Sequence, residues 1–468
     1  MESRGRTLSE ALNEAPLSLF HLRAMLTAGM GFFTDAYDLF IIGVALVLIE
    51  AQWHPSPVQI GLLGSTSLIA AFVGAFIFGR IADVYGRKAI YGLEAAIMAV
   101  GAIASAFAPS IVWLIVFRFV LGVGIGGDYP VSAVIMSEYA NRKDRGRLVA
   151  MVFSNQALGL VVGPVVALVL LAAGVPHPIA WRLMLGLGAL PALAVIYLRR
   201  TLPESPRYLA RVRGDTAAAA ASVEQYSGGA VGRTETREPR IRQSFGQFLG
   251  DRRNWALIAG TAGSWFLLDY AFYGNSISTP LILKSVAPGA SLIQATAWSL
   301  IIFAVAAAPG YITALLTVDR IGHKRLQWIG FLVMAACFAT IGLVPGLTNA
   351  VLAFLIVYGI SYFFTEFGPN VTTFVIPAEV YPVANRTTGH GVAAGIGKVG
   401  AFIGVFVFPL LNRALGLSGT LLLTAVVAVA GALLTQILPE PAGQSLEQLG
   451  REDRLTLAPA AGAAAGNE

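Results

Sequence analysis

Apolar stretches of about 20 residues recur through this 468-residue chain, and no other feature restricts its fold so much. A run of that length crosses the hydrocarbon core of a bilayer as one helix. Peptide groups in lipid must find their partners within the chain, so a bundle of helices is the architecture available. The spacing predicts twelve spans, at 24–49, 58–81, 89–108, 111–139, 148–174, 180–199, 254–280, 290–317, 326–345, 350–381, 387–411 and 418–438. Only 12% of residues are charged, against about 25% in soluble domains. The expected fold class is therefore an all-α membrane protein of twelve transmembrane helices in two six-helix halves.

A net charge of +6 raises the question of nucleic acid, and the distribution of charge excludes it. Of 32 Lys and Arg, Arg118 and Lys398 sit deep inside spans, and Arg182, Lys284 and Arg413 fall towards one side. The other 27 lie in alternate loops, at span ends and in the tails. Such asymmetry predicts a multi-pass protein of the cell (plasma or inner) membrane with both termini in the cytoplasm. The polar start, MESRGRTLSEALNEA, has no cleavable signal pattern. Cys337, the single cysteine, reads as packing within an apolar span.

The chain repeats itself. Asp83-x-x-Gly86-Arg87-Lys88 is echoed by Asp319-x-x-Gly322-His323-Lys324. Glu138 and Arg145 are echoed by Glu379 and Arg386, and Leu-Pro-Glu at 202–204 by Leu-Pro-Glu at 438–440. The offsets are 236, 241 and 236 residues, which predicts two halves related by an axis along the membrane normal. The division expected is 1–199 for the first half, 200–253 for a cytoplasmic linker, 254–439 for the second half and 440–468 for a disordered cytoplasmic tail. The duplicated charges, Asp83, Arg87, Glu138, Arg145, Asp319, Glu379 and Arg386, with the turn at Gly86, are expected to gate the cytoplasmic mouth.

Four aspartates, Asp35, Asp38, Asp128 and Asp269, fall inside the spans. A carboxylate at mid-bilayer costs roughly 2.5–3.5 kcal/mol on insertion scales. That cost is normally offset by a pathway for an ion, a proton or a polar solute. Trp265, Asp269 and Tyr273 follow one another at four-residue intervals and share a helical face. Gly368-Pro369 is expected to interrupt helix ten before Asn370, and Gly126, Gly127 and Pro130 to loosen helix four around Asp128 and Tyr129. Asp35 and Asp38 share a face of helix one, where mutual repulsion favours proton binding. Arg118 needs an anionic partner and is expected to find Asp35 or Asp38. Glycines 391, 395, 400 and 404 form small-xxx-small pairs around Lys398.

The Asp-x-x-Gly-Arg loop, PESPR at 203–207 and PExxGxSLE at 439–447 resemble the major facilitator superfamily. GMGFFTDAYDLF (29–40), FRFVLGVGIGGDYPVSAVIMSEYA (117–140), WFLLDYAFY (265–273) and FGPNVTTFVIPAEVYP (367–382) are similar to its phosphate:proton symporters. That resemblance implies phosphate ligands at Tyr129, Gln156, Trp265, Asp269, Tyr273 and Asn370. It implies proton-linked roles for Asp35, Asp38, Arg118, Asp128, Glu94 and Lys398. Helix five departs from the family pattern at FSNQALG (153–159), around Gln156.

Phosphate suits this residue set. Asp269 would repel an oxyanion unless a proton lay between them, and dihydrogen phosphate brings two P–OH groups. Either the ligand or Asp269 itself carries that proton. Asn370 reads as a ligand or a helix cap, and Lys398 as a source of positive potential or as a side chain reaching for the interface. The expected function is proton-coupled import of inorganic phosphate by alternating access, with a monomer as the working unit and no cofactor or metal. The alternative is proton symport of another small solute, a sugar or organic acid, and a non-transporting sensor lies further off. No nucleophile elbow or metal-ligand motif supports an enzyme.

Overall fold

In the computed structural model, residues 7–227, 240, 241, 243–452 and 454 are described. We number the spanning helices α1 (Leu19–Trp53), α2 (Pro57–Tyr85), α3 (Arg87–Ala106), α4 (Ile111–Tyr139), α5 (Arg145–Ala172) and α6 (His177–Thr201) in the first half. The second half has α7 (Arg252–Ile277), α8 (Leu292–Ile321), α9 (His323–Leu343) and α10 (Val351–Val380). It ends with one stretch, Arg386–Thr435, that breaks at Gly416 (φ 69°) into α11 (386–415) and α12 (417–435). Ten helices of the described residues, counting that stretch as one, are long and apolar enough to cross a membrane. The more polar α7 and the division at Gly416 complete the twelve.

The bundle is inside-out relative to a soluble protein. Large apolar side chains such as Val112, Val169, Leu316, Ile356 and Val426 stand exposed around it, while Arg87, Arg118, Arg145, Arg199 and Arg386 are fully buried. Helices meet through small residues. A Cβ built on Gly126 would fall 1.9 Å from the Ala71 carbonyl oxygen, so only glycine lets α4 lie this close to α2. The same holds where Gly391 meets Ala75 of α2 and Gly400 meets Phe266 of α7. The glycines and Pro130 therefore do not loosen α4, which runs unbroken from Ile111 to Tyr139. The two glycines serve helix contact instead.

Helix ten is likewise not interrupted before Asn370. Glu366–Asn370 forms a π-turn, and the helix continues through it, so no row of free N–H groups opens there. One extra residue in the turn accommodates Pro369, and such turns concentrate at functional sites.

The first part of the tail is also ordered, contrary to the expectation for 440–468. Ser445 caps a short helix, Leu446–Leu449, and the segment lies beneath both halves. Glu447 accepts from Arg207 (3.1 Å) and from Asn13 of a short N-terminal helix, Leu8–Glu14 (3.1 Å). Glu452 accepts from Arg386 (2.9 Å), Arg211 (2.6 Å) and the Val383 amide (2.9 Å). Charge complementarity, invisible to composition, orders this stretch; residues 455–468 lie outside the described residues. Burial pushes the Glu447 carboxyl up, but Arg207 and Arg211 hold it below the usual range. A depressed carboxylate stabilises docking above its unfolded pKa, and that stability is lost as pH falls towards the folded value. Hydrogen-exchange protection at residues 445–452, corrected for the intrinsic pH dependence of exchange, is expected to hold from neutral pH to about 4 and to fall below it, and Glu447→Gln should blunt that response.

Candidate functional site

The site lies where the halves meet, halfway along α1, α4, α5, α7, α8, α10 and α11. Asp35, Tyr129, Gln156, Trp265, Asp269, Tyr273, Tyr311, Glu366, Asn370 and Lys398 are each at most 2% exposed. Tyr129 donates to Asp35 Oδ2 at 2.6 Å, and Gln156 Nε2 donates to the same oxygen at 3.0 Å. Across the interface, Lys398 Nζ bonds to Asp269 Oδ2 (3.2 Å) and the Tyr273 hydroxyl (3.0 Å), and stands 4.6 Å from the Tyr129 ring centre. Tyr311 donates to Gln156 Oε1 at 3.0 Å, and Asn370 Nδ2 reaches the Tyr311 hydroxyl at 2.8 Å. Trp265 packs on Tyr129, Phe374 and His390.

All six residues expected to meet the substrate thus come together from both halves. The Asn370 side chain bonds to side chains and caps nothing; Lys398 does not reach for a membrane surface. Two participants were missed, Tyr311 and Glu366. Glu366 had a visible signal, an acid within a predicted span and two residues before Gly368-Pro369. One oxygen of each acid here, Asp35 Oδ1, Asp269 Oδ1 and Glu366 Oε1, is buried without a hydrogen-bond partner. Asp35 and Asp269 therefore share one ammonium, and Glu366 has none. Buried charge of that imbalance is costly, and protons or a ligand offering donors relieve it.

The remaining acids form two separate clusters. Asp38 makes a paired bond with Arg118 (3.1 Å at both oxygens), and Arg118 also reaches the Leu63 carbonyl and Ser67. Asp128 belongs to neither Arg118 nor Asp35. It pairs with Arg199 (2.7 and 3.0 Å), which also holds Glu94 at 2.8 Å. Arg199 escaped notice because Arg199-Arg200 at the end of a span reads as an interfacial anchor. Gly31 makes room for the Asp128–Arg199 pair, since a Cβ there would fall 1.7 Å from Asp128 Oδ2.

On the arginine-rich face the repeated motifs interlock as a crossed pair. Glu138 of the first half binds Arg87 (3.1 Å) and, from the second half, Arg386 (2.9 Å). Glu379 of the second half binds His323 (3.1 Å) and, from the first half, Arg145 (2.9 Å). Asp83 accepts from the Thr387 and Thr388 amides at the start of α11, and Asp319 from the Arg147 amide at the start of α5. These are favourable positions for a carboxylate beside a helix N-terminus. The third repeat has its own task. Glu204 accepts from the Arg87 and Lys88 amides after Gly86, and Glu440 from the His323 and Lys324 amides after Gly322. Gly86 (φ 109°) and Gly322 (φ 100°) adopt a backbone that other residues resist. Removing one partner from a buried pair costs about 3–5 kcal/mol, so this face parts only if the whole network gains water together.

Among the described residues no group of three or more His, Cys, Asp or Glu is placed to hold a metal ion. Twelve helices in two repeated halves, with a closed polar site between them and a charged clasp at one end, define a secondary transporter of the major facilitator fold. The profile of the Sugar (and other) transporter family matches residues 24–452, and the chain belongs to that family. It is 35% identical to the "Probable inorganic phosphate transporter 1-6" of Arabidopsis thaliana, over 96% of this chain and 97% of that one. It is 36% identical to "Inorganic phosphate transporter PHO84" of Saccharomyces cerevisiae, over 86% of this chain and 77% of that one. A solved structure of the proton:xylose symporter XylE shares the fold, with a TM-score of 0.79 and 18% identity over 93% of this chain and 99% of that one. A partially occluded inward-open form of XylE from E. coli gives a TM-score of 0.72 at 19% identity, over 90% of this chain and all of that one.

Proposed function

We infer that this chain imports inorganic phosphate together with protons by alternating access. The single observation that carries the reading is Lys398 between Asp269 and Asp35, each acid retaining an unpartnered buried oxygen. Relatives named as inorganic phosphate transporters match it along most of their length. Lys398, Gln156, Trp265, Tyr273 and Asn370 offer donors to phosphate oxygens, while Tyr129 orients Asp35 and Asp269 Oδ1 accepts a P–OH proton. Sulfate lacks that proton at neutral pH and leaves Asp269 unpaired, a large source of discrimination.

The arginine-rich face is the cytoplasmic one, by the distribution of basic residues, which puts both described ends of the chain in the cytoplasm. Asp83, Arg87, Glu138, Arg145, Asp319, Glu379 and Arg386 close that mouth while the site loads. Asp35 carries a proton in phase with the substrate. Asp38–Arg118 and Glu94–Arg199–Asp128 hold α1 to its neighbours and set when it moves. Moving a monoanion into a negative interior is opposed by about 2.3 kcal/mol per 100 mV. One proton makes the step neutral, and a second lets the potential drive accumulation.

The test is uptake of labelled phosphate into proteoliposomes under an imposed proton gradient. Arsenate should compete, and sulfate, glucose and succinate should not; competition by glucose or succinate alone would replace phosphate with the other solute class. Asp269→Asn is expected to lower phosphate uptake about tenfold or more, equivalent to about 1.4 kcal/mol. Wild-type uptake by that variant would remove Asp269 from the site.

A further inference from the structure

Glu366 has no place in the cycle just described. It sits in the π-turn of α10, fully buried, where Oε2 accepts from Asn370 and Oε1 has no hydrogen-bond partner. Among the described residues no Lys, Arg or His pairs with it, and Lys398 is committed to Asp269 and Tyr273. The neighbouring elements supply no cation either. Helix α8 brings Gly310 against it and sets the Tyr311 hydroxyl beside its carboxyl, and α9 meets the turn through Gly330. Tyr362 stands one turn earlier on α10, and the other ionisable groups felt at Tyr311 are Tyr273 and Asp35. Every facing group is neutral or anionic at neutral pH. A carboxylate so placed has no counter-charge and one oxygen unserved, whereas a carboxylic acid needs no counter-charge.

We propose that Glu366 holds a proton in the closed state and is a further proton site of the transport cycle, joined to the phosphate site by Asn370, Tyr311 and Gln156. The assignment rests on the phosphate:proton reading. The carboxylate takes one proton from outer water before the site closes and returns it to cytoplasmic water after the site opens inward. Only that O–H bond forms and breaks. The hydrogen-bonded chain Glu366, Asn370, Tyr311, Gln156, Asp35 gives the two halves a shared sense of the proton.

Two measurements decide it. In infrared spectra of the purified protein at neutral pH without phosphate, Glu366→Gln should remove one carboxylic-acid C=O band, and Glu366→Asp should move it. In proteoliposomes, Glu366→Gln should lower the charge carried per phosphate by one and shift the pH profile of uptake, while Glu366→Asp restores the charge ratio. Spectra identical to wild type would overturn the proposal. A lost band with unchanged charge per phosphate would also overturn it, making Glu366 a fixed hydrogen-bond donor. If Glu366→Gln does not fold, Glu366→Asp decides by the same band. Failure of the wild-type protein to take up phosphate would instead sink the phosphate reading, and the infrared result would still stand on its own.

Discussion

Arg199→Met is expected to destabilise the folded protein by about 3–5 kcal/mol. Arg199 is fully buried and is the shared partner of Asp128 and Glu94, with further bonds to the carbonyls of Thr27 and Ala28. Methionine fills similar volume but strands two carboxylates. The check is thermal unfolding in detergent, followed as loss of monodisperse protein. Adding Asp128→Asn and Glu94→Gln to Arg199→Met should recover much of the lost stability, because no uncompensated charge then remains. Equal melting of the single variant and wild type would show that the cluster is not held together by its charges.

Lys398→Met should have the largest effect on transport. It leaves Asp35, Asp269 and the incoming anion without a cation, and it removes the bond to Tyr273. A hydrogen bond to a charged group contributes about 1.5–3 kcal/mol, so uptake should fall by roughly 10- to 100-fold or more. Lys398→Arg is not a mild change, because a planar fork cannot take the place of a compact ammonium between two rings. Phosphate uptake within twofold of wild type in Lys398→Met would remove the lysine from the substrate path. The loss should exceed that in Asp269→Asn, which keeps the lysine and deletes one negative charge.

Much of this was legible in the chain. Twelve apolar runs and a repeat at nearly one offset carry the fold, since lipid leaves the backbone few choices. Trp265, Asp269 and Tyr273 share a face by helical geometry alone, and a buried Arg118 demanded an acid. Periodicity did not reveal partners from distant segments. Arg199 finds Asp128 only because α6 crosses α1 and α4, and Glu366 faces the site only because a π-turn shifts the register of α10. The glycines of α4 looked like flexibility, and their meaning emerged only with α2 laid against them. The tail looked disordered because its order comes from arginines more than 60 residues away in sequence, Arg386 and Arg211 among them.

Arg386 grips Glu138 and Glu452 at once, so the last described turn of the chain is a rivet through both lobes. Any reporter, affinity handle or cleavage site fused upstream of Glu452 would pull that rivet and mimic a broken pump in a protein whose cargo chamber is intact.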